Sequence, residues 1–218
     1  MIKENLDYIK SSLKPEVTLV AVSKTKPIHM LEEAYEAGQR VFGENRVQEL
    51  CEKEAVLPKD IEWHMIGHLQ SKKVKQIASF VSLIHGVDSI KLLIEINKQG
   101  IKNNRRIPVL LQFHIAEETS KFGFVIDEDW EELKRIKVDE LEGVELKGVM
   151  GMATFTSDQR QVREEFNVLK QIHTKLQAEM FDNSFDVISM GMSGDYEAAI
   201  SAGSTMIRVG SSIFGARN

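Results

Sequence analysis

Short apolar runs recur along the whole chain, separated by stretches whose apolar residues return every three or four positions. The runs are VTLVAVS (17–23), RVFGEN (40–45), IEWHMIG (61–67), FVSLIHGV (80–87), PVLLQFHIA (108–116), VELKGVMGM (144–152), FDVISMG (185–191) and TMIRVG (205–210), eight in all. Each has the length of a strand, and most are apolar at consecutive positions, as expected of strands covered on both faces. The clearest helical stretch is 158–180, where Val162, Phe166, Leu169, Ile172, Leu176 and Met180 share one face. Others cover 28–38, 46–57, 70–78, 89–102, 127–138 and 195–202, the last with Asp195 and Glu197 in its first turn.

Doubly covered strands alternating with helices predict a parallel sheet built from right-handed βαβ units. Eight repeats predict closure into a single (β/α)8 barrel of the TIM type over residues 1–218. The alternative is an open doubly wound sheet, but the GxGxxG fingerprint is missing after the first strand. No stretch rich in Pro, Gly or Ser marks a linker, and the chain has only four prolines.

Composition narrows the partners. A net charge of -5 argues against a broad nucleic-acid surface, which needs clustered Lys and Arg, but leaves room for a local anion pocket. The single cysteine, Cys51, cannot form an intrachain disulfide and reads as a packing residue on a helix. The N-terminal MIKENLDYIKSSL lacks the apolar stretch of a signal peptide, and no apolar run is long enough to span a bilayer. A soluble, cytoplasmic protein is the expectation.

In such a barrel, ligands gather at the C-terminal ends of the strands, and phosphates often bind after strands seven and eight. There the chain reads SMGMSGD (189–195) and RVGSSIFGARN (208–218). The small residues let backbone amides approach an anion, and Ser189, Ser211 and Ser212 add hydroxyls. The first strand ends in Ser23-Lys24-Thr25-Lys26-Pro27. Val20, Val22 and Lys24 share one face by alternation, making Lys24 the last ordered residue of that strand. Lys26 has the same parity but precedes a proline, so geometry favours Lys24 without excluding Lys26. A desolvated lysine at a barrel mouth can form a Schiff base, although an arbitrary lysine there is usually solvated. An imine-forming amine facing a phosphate cradle calls for a ligand with an aldehyde at one end and a phosphate at the other, and pyridoxal 5'-phosphate fits. Its phosphate would meet the 189–191 and 210–212 turns, its aldehyde Lys24, and its ring nitrogen Arg208. Beside arginine that nitrogen stays unprotonated and is a weaker electron sink.

AVSKTKP, FGENRVQE, WHMIGHLQSKK, HGVDS, SKFG and SMGMSGDYEAAISAGSTMIRVGSSIFGAR together resemble the pyridoxal-phosphate homeostasis protein family, the YggS/PROSC group, which is related to the barrel domain of alanine racemase. The motifs span residues 21–217. The resemblance implies that Lys24 holds the cofactor, that Ser189, Gly210 and Ser211 contact its phosphate, that Arg208 faces the ring nitrogen and that Asn45 reaches the mouth. It also implies handling of the cofactor, with exchange to apo pyridoxal-phosphate enzymes as partners. The related racemases complete their acid–base pair with a tyrosine from a second domain. Here Tyr8 precedes the first strand, Tyr35 lies on the helix after it, and Tyr196 opens the helix after strand seven, near the phosphate turn. None is placed as that acid, so a non-catalytic binding protein is preferred over a single-domain amino-acid racemase; a cofactor-free barrel for a phosphorylated metabolite is a third reading.

His64 and His68 stand four apart but straddle a strand and a turn, with no acidic residue placed as in HExxH, so no metal is expected. His68 and Lys121 read as mouth or loop residues. The methionines Met150, Met152, Met190 and Met192 fill the barrel interior and rim.

Overall fold

The computed structural model describes residues 1–118 and 122–216. Strands β1 (Thr18–Val22), β2 (Val41–Glu44), β3 (Glu62–Met65), β4 (Leu83–Val87), β5 (Ile107–Gln112), β6 (Val144–Met150), β7 (Val187–Ser189) and β8 (Met206–Val209) close into a barrel in chain order. All neighbours are parallel, and β8 returns to β1 with Arg208 opposite Val20. Around it lie α1 (Ile2–Ser12), α2 (Ile28–Glu36), α3 (Val47–Val56), α4 (Val74–Ile77), α5 (Ile90–Lys102), α6 (Ile126–Leu133), α7 (Gln159–Glu179), α8 (Tyr196–Ser201) and α9 (Ser211–Phe214). The eightfold βα alternation read from the sequence is thus the fold, and the open sheet is excluded by the β8–β1 pairing.

Three local readings change. The strand expected to carry Lys24 stops at Val22, so Lys24 lies in the turn beyond it. The helix expected over 127–138 ends at Leu133, the one residue of α6 that is buried; beyond it the Arg135 and Ile136 amides bond three residues back, to Glu132 and Leu133, and Ile136 packs against the core from this tighter turn. Helix α1, hidden by its charges, packs a stripe of Ile2, Leu6 and Ile9 at helical spacing. Capping is visible where side chains allow it: Asp158 accepts from the Arg160 and Gln161 amides to open α7, and Ser89 accepts from the Leu92 amide to open α5.

Outward-facing strand residues pack against the helices in one large core. The inward faces contribute a smaller apolar group, Val20, Leu83, Leu110, Met150 and Met206. At the N-terminal end of β1 and β2, buried Gln39 ties the two strands, its Nε2 donating to the Leu19 and Val41 carbonyls at 2.9 and 2.7 Å. Among the described residues no helix is long and apolar enough to cross a membrane.

Polar groups also cross the barrel interior. His64 Nδ1 lies 3.0 Å from His85 Nε2, His85 Nδ1 lies 2.9 Å from Ser189 Oγ, and Arg208 donates to the same Oγ at 2.6 Å. Burial holds both histidines neutral, with the pKa of His64 pushed down to about 3 and that of His85 well below its ordinary value. A third buried histidine, His173, uses Nε2 on the Phe185 carbonyl at 2.9 Å, while its Nδ1 has no partner among the described residues. Its pKa is also lowered, chiefly by burial.

Because these pKa values are depressed in the folded state, the unfolded chain takes up protons first as pH falls. Stability is therefore fully present above the unfolded histidine pKa of about 6.5 and declines below it, continuing for His64 down to about 3. Between about pH 7.5 and 5.5 His64 and His85 should each cost roughly 1.4 kcal/mol, and His173 adds in the same direction. Denaturant titrations at the two pH values should show a lower midpoint at 5.5 with an unchanged m-value; a flat midpoint would contradict neutral burial.

Candidate functional site

Lys24 sits two positions beyond β1, and the strand's alternation carries through: Val22 and Lys24 both line a cavity of about 420 Å³ at the C-terminal mouth of the barrel. Asn45, immediately after β2, lines the same cavity. Its backbone is packed so closely on Gly67 that a Cβ at 67 would lie 2.4 Å from the Asn45 carbonyl oxygen, which explains the glycine after β3. Arg208, Gly210 and Ser211 supply the wall from β8 and the turn that follows. Among the described residues the charged lining consists of Lys24, Lys26 and Arg208 against Asp195, a balance that favours an anionic ligand.

Arg208 is 4% exposed and its guanidinium is fixed by two acceptors, Ser189 Oγ at 2.6 Å and the Gly151 carbonyl at 3.1 Å. Burial lowers its pKa to about 10, partly offset by Asp195, and the group remains protonated at neutral pH. Across the cavity, Ser193 Oγ accepts from the Gly210 amide at 3.1 Å and from the Ser212 amide at 3.5 Å. Two backbone donors thus converge on one oxygen, the arrangement an anionic oxygen would also satisfy. The turn carrying Ser193 follows Gly191, whose φ of +96° admits glycine readily and whose missing Cβ leaves room for Ala199, 2.6 Å from where it would sit. Asp195 braces that turn by accepting from the Met192 amide at 2.5 Å.

The two lysines differ in what they hold. Lys26 Nζ donates to the carbonyls of Phe214, Gly215 and Ala216 at 3.2, 3.0 and 2.9 Å, capping the last turn of α9. On the opposite rim, the loop after β6 brings Thr154 and Gln159 to the cavity. Buried Glu165 of α7 accepts from both the amide and the hydroxyl of Thr154, each at 2.6 Å, and fixes the loop. The Phe155 ring stands at the rim, 98% exposed.

Of the site residues expected from the sequence, Lys24, Asn45, Arg208, Gly210 and Ser211 all line this one cavity, whereas Ser189 does not. Ser189 is the last residue of β7, points inward and is fully buried, its hydroxyl engaged by Arg208 and His85. The hydroxyl that reaches the cavity from this motif is Ser193, missed because the motif was aligned on its first serine; strand parity and the turn-forming Gly191 were the available signals. Thr154 and Gln159 were also missed, since an ordinary loop reads the same way. His85 was missed as well, although a single histidine in the apolar run 80–87 was an available signal. His68 lies outside the cavity lining, with Nδ1 2.8 Å from Asp88 and its ring stacked on Phe122 at 3.9 Å. Tyr196 is buried and lines a neighbouring groove beyond the 193–195 turn. Cys51 is half-buried with Sγ 3.7 Å from the Gln76 carbonyl. Lys121 lies outside the described residues. Among those described, no group of three or more His, Cys, Asp or Glu forms a metal site.

Comparison with known proteins identifies the family and bears out the barrel fold. The alanine racemase N-terminal domain family matches residues 1–218. The pyridoxal phosphate homeostasis protein of Vibrio alginolyticus is 38% identical over 232 residues, covering 100% of this chain and 98% of that protein. PipY of Synechococcus elongatus, solved without PLP and with PLP bound, gives TM-scores of 0.93 and 0.88 at 34% and 33% identity, covering 99% of this chain and 100% of PipY in each case. Alanine racemase from Clostridium difficile shares the fold alone, with a TM-score of 0.79 at 17% identity over 99% of this chain and 56% of the racemase. The match along the full length, with relatives so similar in sequence, makes this chain a member of the pyridoxal phosphate homeostasis protein family, built on the alanine racemase N-terminal domain.

Proposed function

We propose that this chain binds pyridoxal 5'-phosphate in the cavity above Arg208, holds it through the Lys24 amine, and serves its cytoplasmic homeostasis as a carrier that exchanges it with apo-enzymes. The observation that carries this reading is the convergence of Lys24, Asn45, Arg208, Gly210 and Ser211 on one cation-rich cavity. The relatives' name and the PLP-bound PipY structure support the choice of ligand. When bound, pyridoxal phosphate supplies an aldehyde able to condense with an amine and a ring that can accept electron density.

The residues fit that ligand. Ser193, Ser211 and the amides of the 210–212 turn would bind the phosphate, with Lys24 supplying the amine from the β1 side. Arg208 only donates hydrogen bonds and keeps its proton at neutral pH, so it would hold a ring nitrogen unprotonated and damp carbanion chemistry. Ser189 serves by orienting Arg208. Lys26 serves the fold by holding the segment after α9. The alternative reading is a single-domain amino-acid racemase, which needs acid and base on opposite faces of the ligand. None of the cavity's lining residues is a tyrosine, histidine or cysteine, which favours the carrier. Multiple turnovers of an L-amino acid to its D-enantiomer by the holo-protein would reverse that preference.

Absorbance and mass spectrometry test the assignment. Protein mixed with pyridoxal phosphate should develop a visible band, and borohydride should fix a pyridoxyl group on Lys24. Lys24→Ala should abolish both. Lys26→Ala should keep both while losing roughly 1–2 kcal/mol of stability through its carbonyl contacts. A band lost only in Lys26→Ala would overturn the choice of lysine.

Ser193→Ala tests the phosphate side. Affinity for pyridoxal phosphate should fall about tenfold, the equivalent of one hydrogen bond to a charged group, while affinity for pyridoxal, which has no phosphate, stays level. An equal loss for both ligands would place the phosphate elsewhere.

A further inference from the structure

Lys24 is flanked by two residues whose backbones are both tied to a buried ionic cluster on the outer side of the barrel wall. Ser23 faces outward, and its Oγ donates to Glu44 Oε1 at 2.6 Å. Thr25 has a φ of 65°, a left-handed conformation that a β-branched residue adopts only under constraint, and its amide donates to Glu49 Oε1 at 2.6 Å. Lys53 of α3 joins the two sides. Its Nζ donates to the Ser23 carbonyl, Glu44 Oε1 and Glu49 Oε1, each at 2.7 Å, which uses all three ammonium protons. The Ser23 carbonyl also accepts from the Lys26 amide at 3.0 Å, closing the 23–26 turn over the cluster.

Stability alone does not account for this arrangement. The Lys53 and Glu44 side chains are 5% and 0% exposed, so both ions have left water, and such a pair is commonly matched or bettered by well-packed apolar residues. The site even leaves Glu44 Oε2 buried with no partner among the described residues. A strut joining α3 to the barrel would need only the Lys53–Glu44 contact. The additional bonds end on Ser23 and Thr25, one on each side of Lys24.

We propose that Lys53, acting with Glu44 and Glu49, is a positioning residue for Lys24: it fixes the backbone of residues 23–25 so that the Lys24 amine projects into the cavity at the angle needed to attack an aldehyde carbon. In that condensation the amine nitrogen forms the carbon–nitrogen bond and the aldehyde oxygen leaves as water, so no further reactant is needed. Holding an amine in place in advance raises its effective concentration at the carbonyl. The inference rests on the assignment of Lys24 above.

The test is the rate at which the visible band grows after mixing with pyridoxal phosphate, measured beside denaturant stability. Lys53→Met should slow the band about tenfold or more under conditions where the protein is folded. Gln39→Ala, which breaks the buried tie at the opposite end of the same two strands, should lose stability but keep the original rate. Equal slowing in both variants, or an unchanged rate in Lys53→Met, would overturn the proposal. If Lys53→Met does not fold, the half-exposed end of the cluster serves instead: Glu49→Ala should be slow and Glu49→Gln, which retains an acceptor for the Thr25 amide, should recover most of the rate. Identical rates for those two would also overturn it. Borohydride trapping on wild-type protein separates the two levels, because a modified lysine other than Lys24 defeats the underlying assignment, whatever Lys53→Met does.

Discussion

Arg208 lies inside the barrel, where its guanidinium donates to Ser189 Oγ and the Gly151 carbonyl. Arginine has donors only, so Ser189 Oγ accepts from it, and among the described residues His85 Nδ1 is the remaining partner that can take the hydroxyl proton. The Ser189 oxygen accepts from Arg208, its one proton goes to His85 Nδ1, and His85 Nε2–H goes to His64 Nδ1. The tautomers of both histidines follow from this polarity. Protonating His85 would set a donor against a hydroxyl already oriented toward it and add a like charge near Arg208. The neutrality of His64 and His85, set chiefly by burial, is thus also part of the constraint that holds the guanidinium, and their share of the expected acid sensitivity arises beneath the cavity.

The rest of the site extends this rigid floor. The strands supply a ring of backbone, and these cavity-lining groups enter from the residue or turn just past a strand end: Lys24 after β1, Asn45 after β2, Thr154 after β6, Ser193 after β7, and Gly210 with Ser211 after β8. Several of these turns are tied by side chains: Glu49 holds the Thr25 amide, Glu165 holds Thr154, Asp195 holds the Met192 amide and Ser193 holds the Gly210 amide. Loops are ordinarily the mobile part of a barrel. Here the cross-ties let short turns present groups at fixed positions without lengthening the strands.

The fold was legible because its signals are local and repeated. Eight apolar runs with helices between them leave few topologies open, and parity alone carried Val20 and Val22 on to Lys24. What escaped the sequence depends on contacts between distant residues. Ser189 and Ser193 have the same chemistry four positions apart, and only closure of the barrel, which brings Arg208 and His85 to the first of them, separates a buried strut from a pocket hydroxyl. Glu49 and Lys53 stand four apart on α3, but nothing local shows that Glu44 and Ser23 meet Lys53 from two other segments and bury its ammonium. Helix α1 failed to register because its three buried positions are embedded among charges.

The same principle separates the two lysines of the first turn. They have one residue type, one parity and one cavity, and within SKTKP only Pro27 and the distance from the strand favour Lys24, without excluding Lys26. The distinction comes from the far end of the chain, where α9 finishes with carbonyls that have no intrahelical partners. Phe214, Gly215 and Ala216 turn three of those oxygens toward Lys26, some 190 residues earlier in sequence. A helix end in need of a cation thus fixes one lysine as structure. The Lys26 amide, bonded to the Ser23 carbonyl, closes the short turn from which Lys24 enters the cavity. The chemistry proposed for Lys24 therefore draws on Lys26 twice, through the side chain that is held by the end of the chain and through the amide that closes the turn.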